Sequence, residues 1–380
     1  MGGSGGRERV PETALSNIRL VQGSRPPTIR DVAAAAGVSI TTVSRVVRDH
    51  QDVHPATRGR VLQVIQDLGY RPSSLARALV SGYARTIGLL VSDIANPFYP
   101  QLAKSIEDEA RGADYALVIC NTEDEPTESL RYVRRLLDHG TAGLIHASAG
   151  IDEEIVLAAV GDPRRIVFVN RRPTSSAASY VVSDNVNGGR LLAEHLVSLG
   201  HRRIGFIAGP PWAANSRERL TGIRAVARDA GADVLVAEGD FTPSSGVAAV
   251  ESWLRESRPP TAIVGVSDQV ALGAVAALAQ SGIDVPTQMA VAGFDDIQFA
   301  ASQIIGLTSV AQHIDEMGRR SVRILLRQLG ARGTRVQRIE LAPNLVVRRT
   351  TQGTSHSRTV RPRRLGGPKL VVTEPAQGRP

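Results

Sequence analysis

The sequence predicts a small all-helical head followed by a two-lobed α/β core, and three observations carry that prediction. From Arg85 to about residue 350, short apolar runs alternate with amphipathic segments such as "NGGRLLAEHLVSLGH", the pattern of parallel strands covered by helices on both faces. The runs "TIGLLVSD", "ALVICNT", "GLIHAS", "IVFVNR", "RIGFIAG", "VLVAEGD", "AIVGVSD" and "MAVAGFDD" are more than one doubly wound sheet comfortably holds, so two lobes with a cleft between them are expected. Ahead of them, Thr28 to Tyr70 reads as three short helices with no strand pattern.

The termini read differently. Residues 1–25 are rich in Gly, Ser and Pro, and residues 352–380 in Arg, Pro and Gly; both are expected to be disordered tails. The net charge of +8 is concentrated at the two ends. Residues 1–84 hold 11 Arg against 6 acidic residues, and residues 354–380 hold 6 basic residues against Glu374 alone, while the centre is slightly acidic. Lys104 and Lys369 are the only lysines, so the positive charge is almost all guanidinium, whose planar fork suits phosphates and base edges.

Within the head, Thr28 with Asp31 three residues on is an N-capping pattern, and "DVAAAA" then gives a short helix closed by Gly37. Ser39 caps a second helix, "ITTVSRVV". Two short helices joined by a tight glycine turn form a helix-turn-helix, whose second helix enters the DNA major groove. Val43, Val46 and Val47 face the first helix, leaving Ile40, Thr41, Ser44 and Arg45 for DNA. Short hydroxyls approach phosphates closely, an isoleucine touches a thymine methyl, and an arginine pairs bidentately with guanine. Thr42 is a further candidate phosphate contact.

After Tyr70 and Pro72, "SSLARALVSG" is a run of good helix formers too short to be stable alone, so residues 72–84 are expected to form a hinge that folds only on DNA and beside a partner copy. In the core, the strand runs end in polar residues: Asp93, Asn121, Asn170 with Arg171, Asp240, Asp268, and Asp295 with Asp296. Ligands of open α/β sheets bind beyond the carboxyl ends of the strands, so these residues are expected to line the cleft.

The stretches "TIRDVAAAAGVSITTVSRVV", "HPATRGRVLQVIQDLGYRPSSLARAL", "IGLLVSDIANPFY" and "ELAPNLVVRRTT" occur in the order found in the LacI/GalR transcriptional regulators, which the chain resembles from about residue 27 to residue 351. The resemblance implies a head at 26–71, the hinge at 72–84 and, at 85–351, a core like that of periplasmic sugar-binding proteins. It divides that core into lobe one (about 85–184 plus 307–338) and lobe two (about 185–306 plus 339–351). The DNA-contacting set becomes Thr28, Ser39, Ile40, Thr41, Thr42, Ser44, Arg45, Arg48, Thr57 and Tyr70, with Leu79 wedging into a minor-groove step across the dimer. The effector-binding set is Asp93, Phe98, Tyr99, Asn170, Arg219, Phe241, Asp268 and Asp295. Carboxylates and an arginine around aromatic faces suit a polyhydroxylated ligand. Ala213 stands where the purine-responsive branch has a base-contacting arginine, which disfavours a purine. The C-terminal tail lacks heptads, so a homodimer is expected rather than a tetramer. His54 and His146 replace smaller or apolar residues, and the sequence offers no role for them.

Enzyme classes find no support. There is no G-x-x-x-x-G-K-[ST], H-E-x-x-H or C-x-x-C, and the single match to G-x-S-x-G is "GGSGG" in the N-terminal tail. No cofactor and no metal are expected. There is no apolar run of 18 residues and no signal-peptide pattern, and Cys120 is the sole cysteine, so a cytoplasmic protein without a membrane partner is expected. The N-terminal pattern argues against a sugar-binding transport receptor. The expected function is a repressor released from a double-stranded, pseudopalindromic DNA operator by a small-molecule effector of sugar type in the cleft; the alternative is a purine- or nucleoside-responsive regulator of the same family, or one whose corepressor uses the same parts with opposite sign.

Overall fold

The computed structural model describes residues 27–47, 50, 52–70, 84–148, 150–330 and 335–352. The expected tails apart from Gln352, together with Arg48 and nearly all of the hinge, Leu79 included, lie outside the described residues. The chain divides into two compact units, residues 1–82 and 83–380.

The head contains helices α1 (Ile29–Ala36), α2 (Ile40–Val47) and α3 (Pro55–Asp67). Gly37 closes α1 at φ 63°, a left-handed conformation open to glycine without a Cβ penalty. Val32, Ala36, Val43, Val46, Val61 and Tyr70 form its core. His54 caps α3: its Nδ1 accepts the Ala56 N–H at 3.3 Å, and Pro55 follows in the first helical position. A histidine without an assignable role in the sequence is thus a helix cap.

In the core unit, one sheet has the order β11-β5-β4-β3-β1-β2 and is parallel throughout. Its strands are β1 (Ala84–Val91), β2 (Ala116–Asn121), β3 (Thr141–Ala147), β4 (Ile166–Val169), β5 (Ser179–Ser183) and β11 (Arg338–Leu341). The other sheet has the order β12-β10-β9-β8-β6-β7. It is built from β6 (Arg203–Ile207), β7 (Asp233–Ala237), β8 (Ala262–Gly265), β9 (Ala290–Asp295) and β10 (Thr308–Ala311), with β12 (Asn344–Val346) antiparallel at its edge. Strands β3, β4, β8 and β9 are buried along their whole length, as central parallel strands must be. Leu89, Ile145, Val167 and Leu325 fill one side of the first sheet; Phe206, Ile263, Val291 and Phe294 belong to the core of the second lobe.

The lobe boundaries differ from expectation. The resemblance places residues 307–311 in lobe one, but β10 pairs with β9 and buries Val310 in lobe two. It places residues 339–341 in lobe two, but β11 pairs with β5 in lobe one. The chain therefore crosses at Asp184, at 312–313 and at 342–343. Helix Ile314–Gly330 lies between the last two crossings and buries Met317, Val322 and Leu325 in lobe one.

Candidate functional sites: the helix-turn-helix face and the interlobe cavity

The Thr28 N–H and hydroxyl both donate to the Asp31 carboxylate at 2.7 Å, and Ser39 Oγ accepts the Thr42 N–H at 3.1 Å, so both helices are capped by their own side chains. Ile40, Thr41 and Arg45 are exposed on α2 and Ser44 is half-buried beside them, opposite the buried Val43 and Val46. An exposed isoleucine among hydroxyls and one arginine makes sense on a surface that meets base edges. Thr57 is half-buried on α3. Tyr70 departs from expectation: it is buried in the head core, so packing against Val61 and its neighbours is what the structure gives it.

In the core, a cavity of about 450 Å³ opens between the carboxyl ends of the two sheets. Seven of the eight expected effector residues line it: Asp93, Phe98, Tyr99, Asn170, Arg219, Phe241 and Asp295. Asn170, Phe241 and Asp295 follow or end strands with φ of 55°, 69° and 120°. Backbone in this region is costly for residues with a Cβ and collects at functional sites.

Two charged groups of the cavity wall, Arg219 and Asp295, are buried and held by partners. Arg219, on helix Ala214–Asp229, is 2% exposed. Its Nε donates to Asn185 Oδ1 at 3.0 Å and its Nη1 to the Val266 carbonyl, while the guanidinium stacks 3.7 Å from the centre of the Phe294 ring. Asn185 in turn donates to Glu218 at 2.9 Å. Asp295 accepts from Gln312 Nε2 at 2.5 Å, and burial raises its carboxyl to about 6, against the opposing pull of Arg219 and Gln312. Burial also raises the Tyr99 phenol, so it stays a neutral donor and acceptor.

Asp268 corrects the expectation for that position. It is fully buried and absent from the cavity wall. Its Oδ2 accepts the Ile297 N–H at 2.9 Å and its Oδ1 accepts the Ser309 hydroxyl at 2.5 Å, so it fastens the turn after β9 to β10. Burial, then the neighbouring Asp295 charge, raises its carboxyl well above the usual range.

The wall also holds residues not expected from the sequence. Glu153 accepts from the Thr174 N–H at 2.8 Å, from the Thr174 hydroxyl, and from Arg171 at 3.1 Å; burial opposes its charge, yet these partners hold it at about 2. Trp212, Asp124, Asn185 and Glu218 line the cavity too. Trp212 lies in "GPPWAAN", just beyond the carboxyl end of β6, so extending the strand-end rule into the following loop would have found it. His146 lies outside the wall: fully buried, 3.1 Å from Ser129 Oγ and packed on Phe168, it is lowered to about 3 by burial and remains a neutral core residue.

Residues 28–73 match the bacterial regulatory proteins of the lacI family, and residues 193–351 match a periplasmic binding protein-like domain. The chain is 31% identical over 329 residues to the transcriptional repressor PurR of Photobacterium profundum, covering 86% of this chain and 98% of that one. It is 35% identical over 331 residues to the transcriptional regulator DegA of Bacillus subtilis, covering 85% and 98%. The chain belongs to the LacI family. Among solved LacI-family structures, the lac repressor dimer bound to operator and the anti-inducer ONPF is similar at 30% identity, TM-score 0.78 and coverage of 86% and 99%. The transcriptional regulator CelR in complex with cellobiose is similar at 33% identity, TM-score 0.64 and coverage of 85% and 99%. As a LacI-family member the chain is a ligand-responsive, DNA-binding transcriptional regulator and not an enzyme. No helix among the described residues is long and apolar enough to cross a membrane.

Proposed function

We propose that the protein is a cytoplasmic, homodimeric repressor that leaves a pseudopalindromic operator when a sugar or sugar derivative fills the interlobe cavity. The observation that carries this is the buried Arg219–Asp295 couple in a cavity that the Phe241 and Trp212 side chains also line. Arginine and carboxylate each engage vicinal hydroxyls, and an aromatic face takes the apolar side of a pyranose. Ala213 in the cavity wall offers no donor to a purine ring. The relative solved with cellobiose and the lac repressor dimer on its operator support the ligand class and the assembly. A dimer places two copies of α2 on two half-sites. Closure of the lobes then changes the spacing of the hinge segments, with Leu79 as the minor-groove wedge.

Thermal-shift screening of the purified protein against sugars and nucleosides, followed by operator binding with each hit, tests this. Stabilisation by a sugar that also releases operator is expected. Stabilisation by purines alone would overturn the ligand class, and tighter operator binding with the ligand would reverse the sign to corepression.

A further inference from the structure

We propose that Asp52 is the positioning residue for base readout by Arg45. The proposal rests on the operator-binding reading above. In the last turn of α2, Arg45 Nη1 lies 3.3 Å from Asp52 Oδ2, and both side chains remain 54% exposed. The described residues on either side of Asp52 are themselves tied down. The His50 N–H donates to the Arg45 carbonyl at 3.0 Å, the Arg58 guanidinium donates to the His50 carbonyl, and His54 closes the loop as the cap of α3.

An exposed ion pair between two free side chains contributes little, because both must be ordered. Here the backbone on each side of the pair is already tied to α2 or α3. A carboxylate on the face that approaches phosphates also carries a repulsive cost, in a head otherwise rich in arginine. What it supplies in return is direction. Arg45 is held through Nη1, which leaves Nε and Nη2 as the edge of the fork that meets guanine O6 and N7. Without Asp52, the arginine is a flexible cation as well suited to any phosphate as to one base.

The test uses the full-length protein, its Arg45→Ala, Asp52→Asn and doubly substituted forms, and a randomised duplex pool. Wild type should select a guanine at one position of each half-site, with preference of about tenfold. Arg45→Ala should flatten that position alone. Asp52→Asn should lower the same preference to about threefold while binding unrelated duplex more tightly, and the double variant should match Arg45→Ala. Asp52→Asn with undiminished preference at that position, or a double variant showing two additive losses, would overturn the proposal. A wild type that selects no sequence would overturn the operator reading and this one with it.

Discussion

Arg219 Nη1 stands 3.8 Å from Asp295 Oδ1, and both side chains are almost excluded from solvent. A buried pair of this kind contributes modestly as a pair, yet removing one partner leaves an uncompensated charge and costs about 3–5 kcal/mol. Arg219 also bonds Asn185 and the Val266 carbonyl, so its loss strips partners from both. Arg219→Ala is therefore expected to lose the effector response and to lower the melting temperature by roughly 10 °C. A melting curve unchanged from wild type would remove the structural half of this account, and unchanged calorimetric affinity for a ligand of the wild type would remove the other half.

Asp295 sets a pH dependence. Its folded value of about 6 lies above the ordinary 3.8, so between those limits the folded protein keeps a proton that the unfolded chain has released. This carboxyl contributes stability below about pH 4 that is lost as the pH rises through 6. Glu153, held at about 2, works in the opposite sense: its contribution is present above its ordinary 4.5 and is lost as the pH falls toward 2. The Asp295 charge also raises the Asp268 carboxyl, so the readout is a difference between proteins. Asp295→Asn should remove part of the decline in melting temperature between pH 4 and 6. Wild-type affinity for a hydroxylated ligand should weaken below pH 6 as the accepting carboxylate protonates. An identical pH profile for the two proteins would refute the assignment.

The packing of Arg219's helix gives a third expectation. A Cβ on Gly222 would meet the Val186 carbonyl oxygen, and one on Gly189 would meet the Arg219 carbonyl oxygen, so helices Asn185–Ser198 and Ala214–Asp229 touch through backbone. Gly222→Ala should push these helices apart, cost about 1–3 kcal/mol and weaken effector binding by displacing Arg219 and Asn185. Full affinity in the substituted protein, measured by calorimetry, would show that the close approach does not position the site.

Residues that act through local geometry were legible in the sequence. Thr28, Ser39 and Gly37 took the cap positions their chemistry dictates, and the apolar runs ending in Asp93, Asn170 and Asp295 became strands whose ends line the cavity. Features decided by tertiary pairing were not legible. Strand β5, "SYVVS", and β11, "RIEL", are short and carry no periodic signal strong enough to stand alone; β10 went to the second sheet because β9 is there to pair with it. Tyr70 reads as a DNA contact in the sequence, and its packing in the core of the head is a tertiary feature that no local pattern announces. Asp268 and Asp295 present the same strand-end pattern. Only the packing shows that one begins a helix and turns inward while the other faces the cavity.

That difference supplies the last prediction. Asp268 holds the Ile297 N–H and the Ser309 hydroxyl, and there is no room beside it: a Cβ on Gly293 would collide with its carboxyl oxygen. Asp268→Ala leaves both donors buried without a partner, which costs about 1–3 kcal/mol for each buried group so stranded. The melting temperature should fall, but the residues that line the cavity keep their own bonds: Arg219 to Asn185 and Val266, and Asp295 to Gln312. Effector affinity measured well below the new melting temperature should therefore stay within about threefold of wild type, a change of under 1 kcal/mol. Asp295→Ala, in contrast, should lose affinity by at least tenfold. If Asp268→Ala loses as much affinity as Asp295→Ala at matched fraction folded, Asp268 belongs to the binding site after all.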